Sequence, residues 1–213
     1  MHKIRHFIFF SFLCLFLSLS FFPSAYSFGE YEDGHGHRIS FRFLPEESLA
    51  AENERQVFIA SFDDNYSVLK PHEVKPHFEK REDVVKWLGG VFAEEWEYMK
   101  NAKHPVKLVD ILKDDKVIGL AIVEEWGGEK ETLHIRQMAI LPEEQRHGYG
   151  SALIDALKKQ PEWPVNRMVA DTRKLNKKGR SFFGKIGFKE REPFDPELAE
   201  TGNYLGIEWE KNE

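Results

Sequence analysis

Six residues in the middle of the chain have the types and spacing to grip an anion: Gln145-Arg146-His147-Gly148-Tyr149-Gly150, followed by Ser151. Two glycines one residue apart let a backbone close on a ligand through dihedrals that other residues resist. The flanks set the chemistry. Met138-Ala139-Ile140-Leu141 is an apolar run stopped by Pro142, and Leu153, Ile154 and Leu157 share one face of a helical pattern. The order is strand, glycine loop, helix N-terminus. Helix N-termini present unpaired N–H groups and partial positive charge, which suits a phosphate or pyrophosphate. The spacing is neither the dinucleotide-binding G-x-G-x-x-G nor a P-loop, since no Gly-Lys-Ser/Thr follows. Gly-x-Gly on its own is also compatible with a plain turn.

The elements that must hold this loop can be read along the chain. Ile39 to Phe43 alternates as a half-buried strand does. A helix opens at Pro45 and runs to about Phe62, where Asp63-Asp64-Asn65 breaks the pattern. A second begins at Glu82, with Val84, Val85, Leu88, Phe92, Trp96 and Met99 at spacings of three and four, and ends before Pro105. Strands follow at Val106–Leu112, Val117–Val123 and Thr132–Leu141 as an antiparallel meander. A helix from Gly150 to Lys159, a strand over Asn166–Thr172, a helix from Asn176 to Ile186, a strand opened by Gly187-Phe188 and a last strand at Tyr204–Trp209 complete the order.

With its flanking strand, proline break and helix, the Gln145-x-x-Gly148-x-Gly150 segment resembles the acetyl-CoA signature of the GNAT N-acetyltransferase superfamily. The element order resembles that family's from about Ile39 to Trp209, most specifically from Val117 to Phe188. The implied fold is α+β: a mixed, mostly antiparallel central sheet of about seven strands flanked by about four helices. Its two central strands, here Ile135–Leu141 and Val165–Thr172, would splay apart to admit cofactor and acceptor. The resemblance implies that backbone groups of Met138, Ala139 and Ile140 hold the pantetheine and polarise the thioester carbonyl. Gln145, Arg146, His147, Gly148, Tyr149, Gly150 and Ser151 would hold the pyrophosphate.

Asn176 to Phe188 resembles the family's Asn-x-x-Ala-x-x-Phe-Tyr-x-x-x-Gly-Phe segment. Asn176 aligns with an Asn that contacts the cofactor arm, and an Asn there also suits a helix N-cap. Gly179 replaces the usual Ala. Phe183, also expected at the cofactor, replaces a Tyr whose hydroxyl can protonate the departing thiolate. Phe has no such proton.

The implied reaction is direct acyl transfer from acetyl-CoA to a primary amine in a ternary complex. It needs no cysteine nucleophile, and the one cysteine, Cys14, lies in the N-terminal apolar run. The motif does not name the base. His134 and Glu124 or Glu125 lie on strands flanking the cleft, and an imidazole is suited to accept an amine proton near neutrality. Adjacent Glu124 and Glu125 face opposite sides of a strand, so one at most faces the cleft; His134 and Glu124 are the catalytic candidates. The acceptor is a small-molecule or protein amine. Thirteen acids against six bases between Leu44 and Met99 lean toward a cationic one. The runner-up reading, motivated by Phe183 and the leader below, is a CoA-binding module with little or no turnover. An unrelated α+β binding domain is a third.

Composition agrees with one globular domain: 41% hydrophobic and 31% charged over 213 residues. Net charge is −6, and −8 without Lys3 and Arg5 of residues 1–27, which argues against a nucleic-acid partner. That leader has a basic start, sixteen uncharged residues from Phe7 to Phe22, and Ala25-x-Ser27 as a cleavage site. It reads as a secretory signal, or, uncleaved, as a membrane anchor, giving an exported or anchored protein. Residues 28–38 read as a flexible lead-in, and 39–213 as the catalytic domain. His35 and His37 lack the partner set of a metal site. Expected partners are acetyl-CoA, the amine and, at most, a second copy of the chain.

Overall fold

In a computed structural model, residues 27–44, 52–126, 131–161 and 164–211 are described. Eight strands, β1 (Ser27–Glu32), β2 (Arg38–Phe43), β3 (Val106–Lys113), β4 (Lys116–Glu125), β5 (Thr132–Ile140), β6 (Arg167–Arg173), β7 (Lys189–Arg191) and β8 (Tyr204–Glu210), form one sheet. Their order is β1-β2-β3-β4-β5-β6-β8-β7. Six helices accompany them: α1 (Glu52–Tyr66), α2 (Pro71–Val74), α3 (Arg81–Asn101), α4 (Tyr149–Leu157), α5 (Lys177–Lys185) and α6 (Pro196–Glu200). The architecture is α+β, with a mixed, mostly antiparallel sheet.

Every neighbouring pair is antiparallel except β5 and β6. Those two run parallel and pair only over Thr132–His134 with Arg167–Val169. Beyond His134 they part, because β6 continues along β8 to Arg173 while β5 stays on β4 to Ile140. The gap expected from the sequence therefore opens at His134. Each face of the sheet has its own core. On one, α4 and Phe183 and Phe188 cover Leu133 and Ile135; on the other, α1 and α3 cover Leu120, Ile122 and Ala139.

Two expectations need correction. Residues 28–38 are not a loose lead-in: β1 is an edge strand with Phe28 in the core, stacked on Phe43 at 4.3 Å. Their turn is held by His37 Nδ1 at 2.7 Å from Asp114 Oδ2. Helix α1 also does not stop at Asp63. Its polar end is satisfied from outside the helix: Arg81 pairs with Asp63 at 2.7 Å, Lys178 with Asp64 at 2.7 Å, and Asn65 donates to Asn176. The expected helix start at Pro45 and the leader through residue 26 lie outside the described residues. Among the described residues, no helix is long and apolar enough to cross a membrane.

One buried charge cluster braces α1 against the sheet. Asp110 on β3 takes the Arg42 guanidinium at 2.6 Å, and the Asp110 carboxylate acts on Glu54 of α1. Burial pushes both carboxyls above their usual range. Among the described residues Glu54 Oε2 and Asp110 Oδ1 are buried without a hydrogen-bond partner, and a proton held by Glu54 between the two carboxyls would satisfy both. Because the folded-state pKa is raised, the stabilisation is complete below the ordinary carboxyl pKa and is lost as pH rises through the raised one. Glu54→Gln keeps a hydrogen-bonding group without a titrating proton. At pH 7 it is expected to stay within about 1 kcal/mol of wild type. Urea unfolding between pH 5 and 9 should show stability falling with pH in wild type and a flatter profile in E54Q.

Candidate active site

The glycine loop is built as its residue types require. After β5, Pro142–Glu144 makes one 3-10 turn, and Arg146 and Gly148 then take positive φ of 69° and 86°. A Cβ at Gly148 would meet nothing within 4 Å, so glycine is needed there for its dihedral. Gly150 is needed for space: a Cβ would lie 3.0 Å from Met138 Cε and 3.1 Å from the Phe182 ring. Gly148 caps α4 without a side chain, and the helical bonding begins with Ala152 N–H to Gly148 O at 3.0 Å. The N–H groups of Tyr149, Gly150 and Ser151 thus have no partner among the described residues and form the anion-binding end.

The side chains of the loop make contacts within the protein. Gln145 Nε2 donates to Ile140 O at 3.0 Å, closing the turn rather than pointing out. Tyr149 is buried, and its hydroxyl donates to Asp33 Oδ2 at 2.8 Å. His147 stacks over the Tyr149 ring.

The strand segment divides in the same way. Leu141 N–H bonds to Ile118 O and Ala139 pairs with Leu120, so strand alternation turns the Ala139 N–H toward β4. Met138 and Ile140 face away, into the gap. Ile140 N–H donates to Ser61 Oγ at 3.2 Å. Of the three, Met138 alone has an N–H open to the gap with no partner among the described residues. Asn176 caps α5 by accepting Gly179 N–H at 2.8 Å, and it also accepts from Asn65 and donates to Thr172. Phe183 lies in the core, its ring 5.0 Å from Phe188; Phe182 is the ring next to Gly150.

Where the strands part, Glu124 and His134 stand directly opposite on β4 and β5. Glu124 is buried and faces α3, whereas Glu125 is exposed. Glu124 Oε1 lies 2.9 Å from His134 Nδ1 and 3.0 Å from Arg136 Nη1; Oε2 accepts from Tyr98 at 2.8 Å and lies 2.8 Å from His104 Nε2. Burial works against its charge, yet the bonds from His134, His104 and Tyr98 and the charge of Arg136 outweigh burial and hold its pKa at about 2. A carboxylate so stabilised is no proton acceptor near neutrality. It is an anchor. Because carboxylate oxygens only accept, Nδ1 of His134 carries the hydrogen, which in a neutral ring puts the lone pair on Nε2.

A β-bulge makes this cluster possible. Ile122 pairs with Gln137 but Val123 with Ile135, leaving Arg136 as the extra residue. Arg136 and Gln137 consequently both reach Glu95 on α3, at 2.8 and 3.0 Å. The Arg136 guanidinium also lies 3.8 Å over the Tyr98 ring. Trp126 meets His134 edge-on at 4.5 Å, and Phe194 stands beyond Trp126. Asp171, just past the last β5–β6 pair, fixes that wall by accepting the N–H groups of Phe194 and Asp195. Sequence reasoning passed over Tyr98, His104, Arg136 and Glu95; the i, i+3 spacing of Glu95 and Tyr98 on one helix was the available signal.

The acetyltransferase (GNAT) family profile matches residues 62–188. The chain belongs to this family. No curated protein matches it by sequence. Among solved structures it resembles PaiA N-acetyltransferase from Thermoplasma acidophilum, determined with coenzyme A, at 17% identity and TM-score 0.59, covering 81% of this chain and 99% of that one. An acetyltransferase from Thermus thermophilus is similar at 16% identity and TM-score 0.56, covering 81% and 97%. The GNAT domain of S. lividans PAT is similar at 12% identity and TM-score 0.54, covering 86% and 96%. At these identities the likeness is one of fold.

Proposed function

We propose that this GNAT protein transfers the acetyl group of acetyl-CoA to a primary amine by direct attack in a ternary complex. His134 is the base and Glu124 its orienting partner. The observation that carries the reading is the His134–Glu124 pair, 2.9 Å apart at the point where β5 and β6 separate. The open N–H groups at the start of α4 suit the pyrophosphate, and the Met138 N–H suits the pantetheine arm or the thioester oxygen. Coenzyme A in the Thermoplasma neighbour supports the same cofactor. The amine nitrogen attacks the thioester carbon; the C–N bond forms, the C–S bond breaks, and CoA leaves as thiolate. The amine's proton goes to His134 Nε2, the nitrogen that Glu124 leaves open. With phenylalanine at position 183, thiolate protonation falls to water or to the imidazolium.

Phe183 also supports a second reading, a CoA-binding member of the family with weak or no turnover. One experiment separates the two. Calorimetry establishes acetyl-CoA binding, and thiol release is then followed with a library of small amines and lysine peptides. Release with any amine supports transfer. Binding without release across the library supports the module, and no binding at all defeats both.

For the leader we propose a cleaved secretory signal, with an uncleaved anchor as the alternative. Cleavage after Ser27 would leave Phe28, a core residue, as the new N-terminus. N-terminal sequencing of the protein from its native cell checks this: a start at Phe28 supports cleavage, and an intact Met1 overturns it.

A further inference from the structure

We infer that Asp33, on the turn between β1 and β2, is a positioning residue that holds the phosphate loop in its binding shape. The inference rests on the reading that this loop takes acetyl-CoA. Asp33 Oδ2 accepts the Tyr149 hydroxyl at 2.8 Å, while Oδ1 accepts the N–H groups of His35 at 2.8 Å and His37 at 3.0 Å. One carboxylate therefore ties the hairpin turn to the first residue of α4. The turn is itself anchored: Asp33 N–H bonds to His37 O, and Asp114 takes both His37 Nδ1 and the Arg38 N–H. The tie consequently pulls on something fixed.

The tie shapes the loop. His147 lies between two rings, stacked on Tyr149 at 5.7 Å and met edge-on by His35 at 6.5 Å. On either side of His147, Arg146 and Gly148 hold positive φ, a conformation that an arginine resists. The open N–H groups of Tyr149, Gly150 and Ser151 follow directly on that segment. The Tyr149 ring fixes where the strained segment ends, and Asp33 fixes the ring. Asp33 carries the wrong charge to bind a phosphate, and three donors already occupy it. Its work is preorganisation, which sets affinity by removing the ordering cost of binding.

The test measures acetyl-CoA and pantetheine affinities by calorimetry on wild type, Y149F, D33A, D33N and the double variant D33A/Y149F. Pantetheine lacks the phosphates, so the ratio of the two affinities isolates what the loop contributes. Y149F removes one oxygen from a buried ring and keeps its shape. The ratio is expected to shrink about tenfold in Y149F and in D33A, with the double variant no worse than either, because both changes cut one link. D33N, which keeps an accepting oxygen, should recover part of the loss. A ratio equal to wild type in Y149F and D33A overturns the inference, as does an equal loss for both ligands, which would mark a structural role only. Failure of wild type to bind acetyl-CoA would instead defeat the cofactor reading.

Discussion

His134→Ala is expected to lower kcat for acetyl transfer by about 10²–10⁴-fold while the Kd for acetyl-CoA stays within about twofold. General-base catalysis in that range requires one nitrogen free to accept a proton and a ring that does not swing. His134 has the geometry for both, since among the described residues Nε2 has no partner. Glu124 engages Nδ1, Trp126 blocks the ring edge at 4.5 Å, and the side chain is only 10% exposed. The loop that would grip acetyl-CoA begins after Ile140, at the far end of β5, so its N–H groups do not depend on the imidazole. His134→Gln tests the same point more gently, because an amide can still bond to Glu124 but takes no proton. Steady-state rates at saturating acetyl-CoA, alongside calorimetric Kd values, check both variants. A kcat within threefold of wild type in both would remove His134 from the mechanism and leave His104, exposed on the other oxygen of Glu124, as the next group to examine.

The features readable in advance are those whose signal is local. The strand, loop and helix around Gly148-Tyr149-Gly150 follow from apolar periodicity interrupted by proline and glycine within about twenty residues. The parting of β5 and β6 came only through family resemblance, and the pairing confirms it. The base cluster was half legible. His134 and Glu124 could be nominated from their strands, but alternation alone would set Met138 on the same face as His134. The bulge at Arg136 reverses that parity, and nothing in the sequence HIRQMA marks it. It turns Gln137 and Ala139 toward α3 and leaves Met138 with the opposite core. Asp33 was hidden for another reason. GEYEDGHGHR has the composition of a linker, and only the contact between Asp33 and a tyrosine 116 positions later makes it part of the site. Similarly, Asp63-Asp64-Asn65 looks like a helix stop until Arg81, Lys178 and Asn176 are seen to take its polar groups.

Glu124→Ala is expected to cost about 3 kcal/mol of folding stability near pH 7 and to reduce kcat nearly as far as His134→Ala does. Removing the carboxylate leaves four donors facing one small space: Tyr98, His104, His134 and Arg136. Arg136 keeps Glu95 as a partner, but His134 loses the acceptor that sets its tautomer and orientation. The pH dependence gives an independent check. Glu124 falls from an ordinary value of about 4.5 to about 2 in the folded protein. A lowered folded-state pKa means its contribution is complete above about pH 4.5 and drains away as pH falls toward 2. At 1.36 kcal/mol per unit, that difference corresponds to the same 3 kcal/mol, approximately. The gap in unfolding free energy between wild type and E124A, measured with urea, should therefore be widest near neutrality. It should close between about pH 4.5 and 2, as the wild-type carboxylate takes up a proton. Glu124→Gln separates stability from catalysis. The amide fills the space and can accept from His134, so more of the stability returns, while the charge that steadies the imidazolium does not. If E124Q turned over as fast as wild type, Glu124 would be only a structural anchor for α3 and β5, and His134 would have to work without an electrostatic partner.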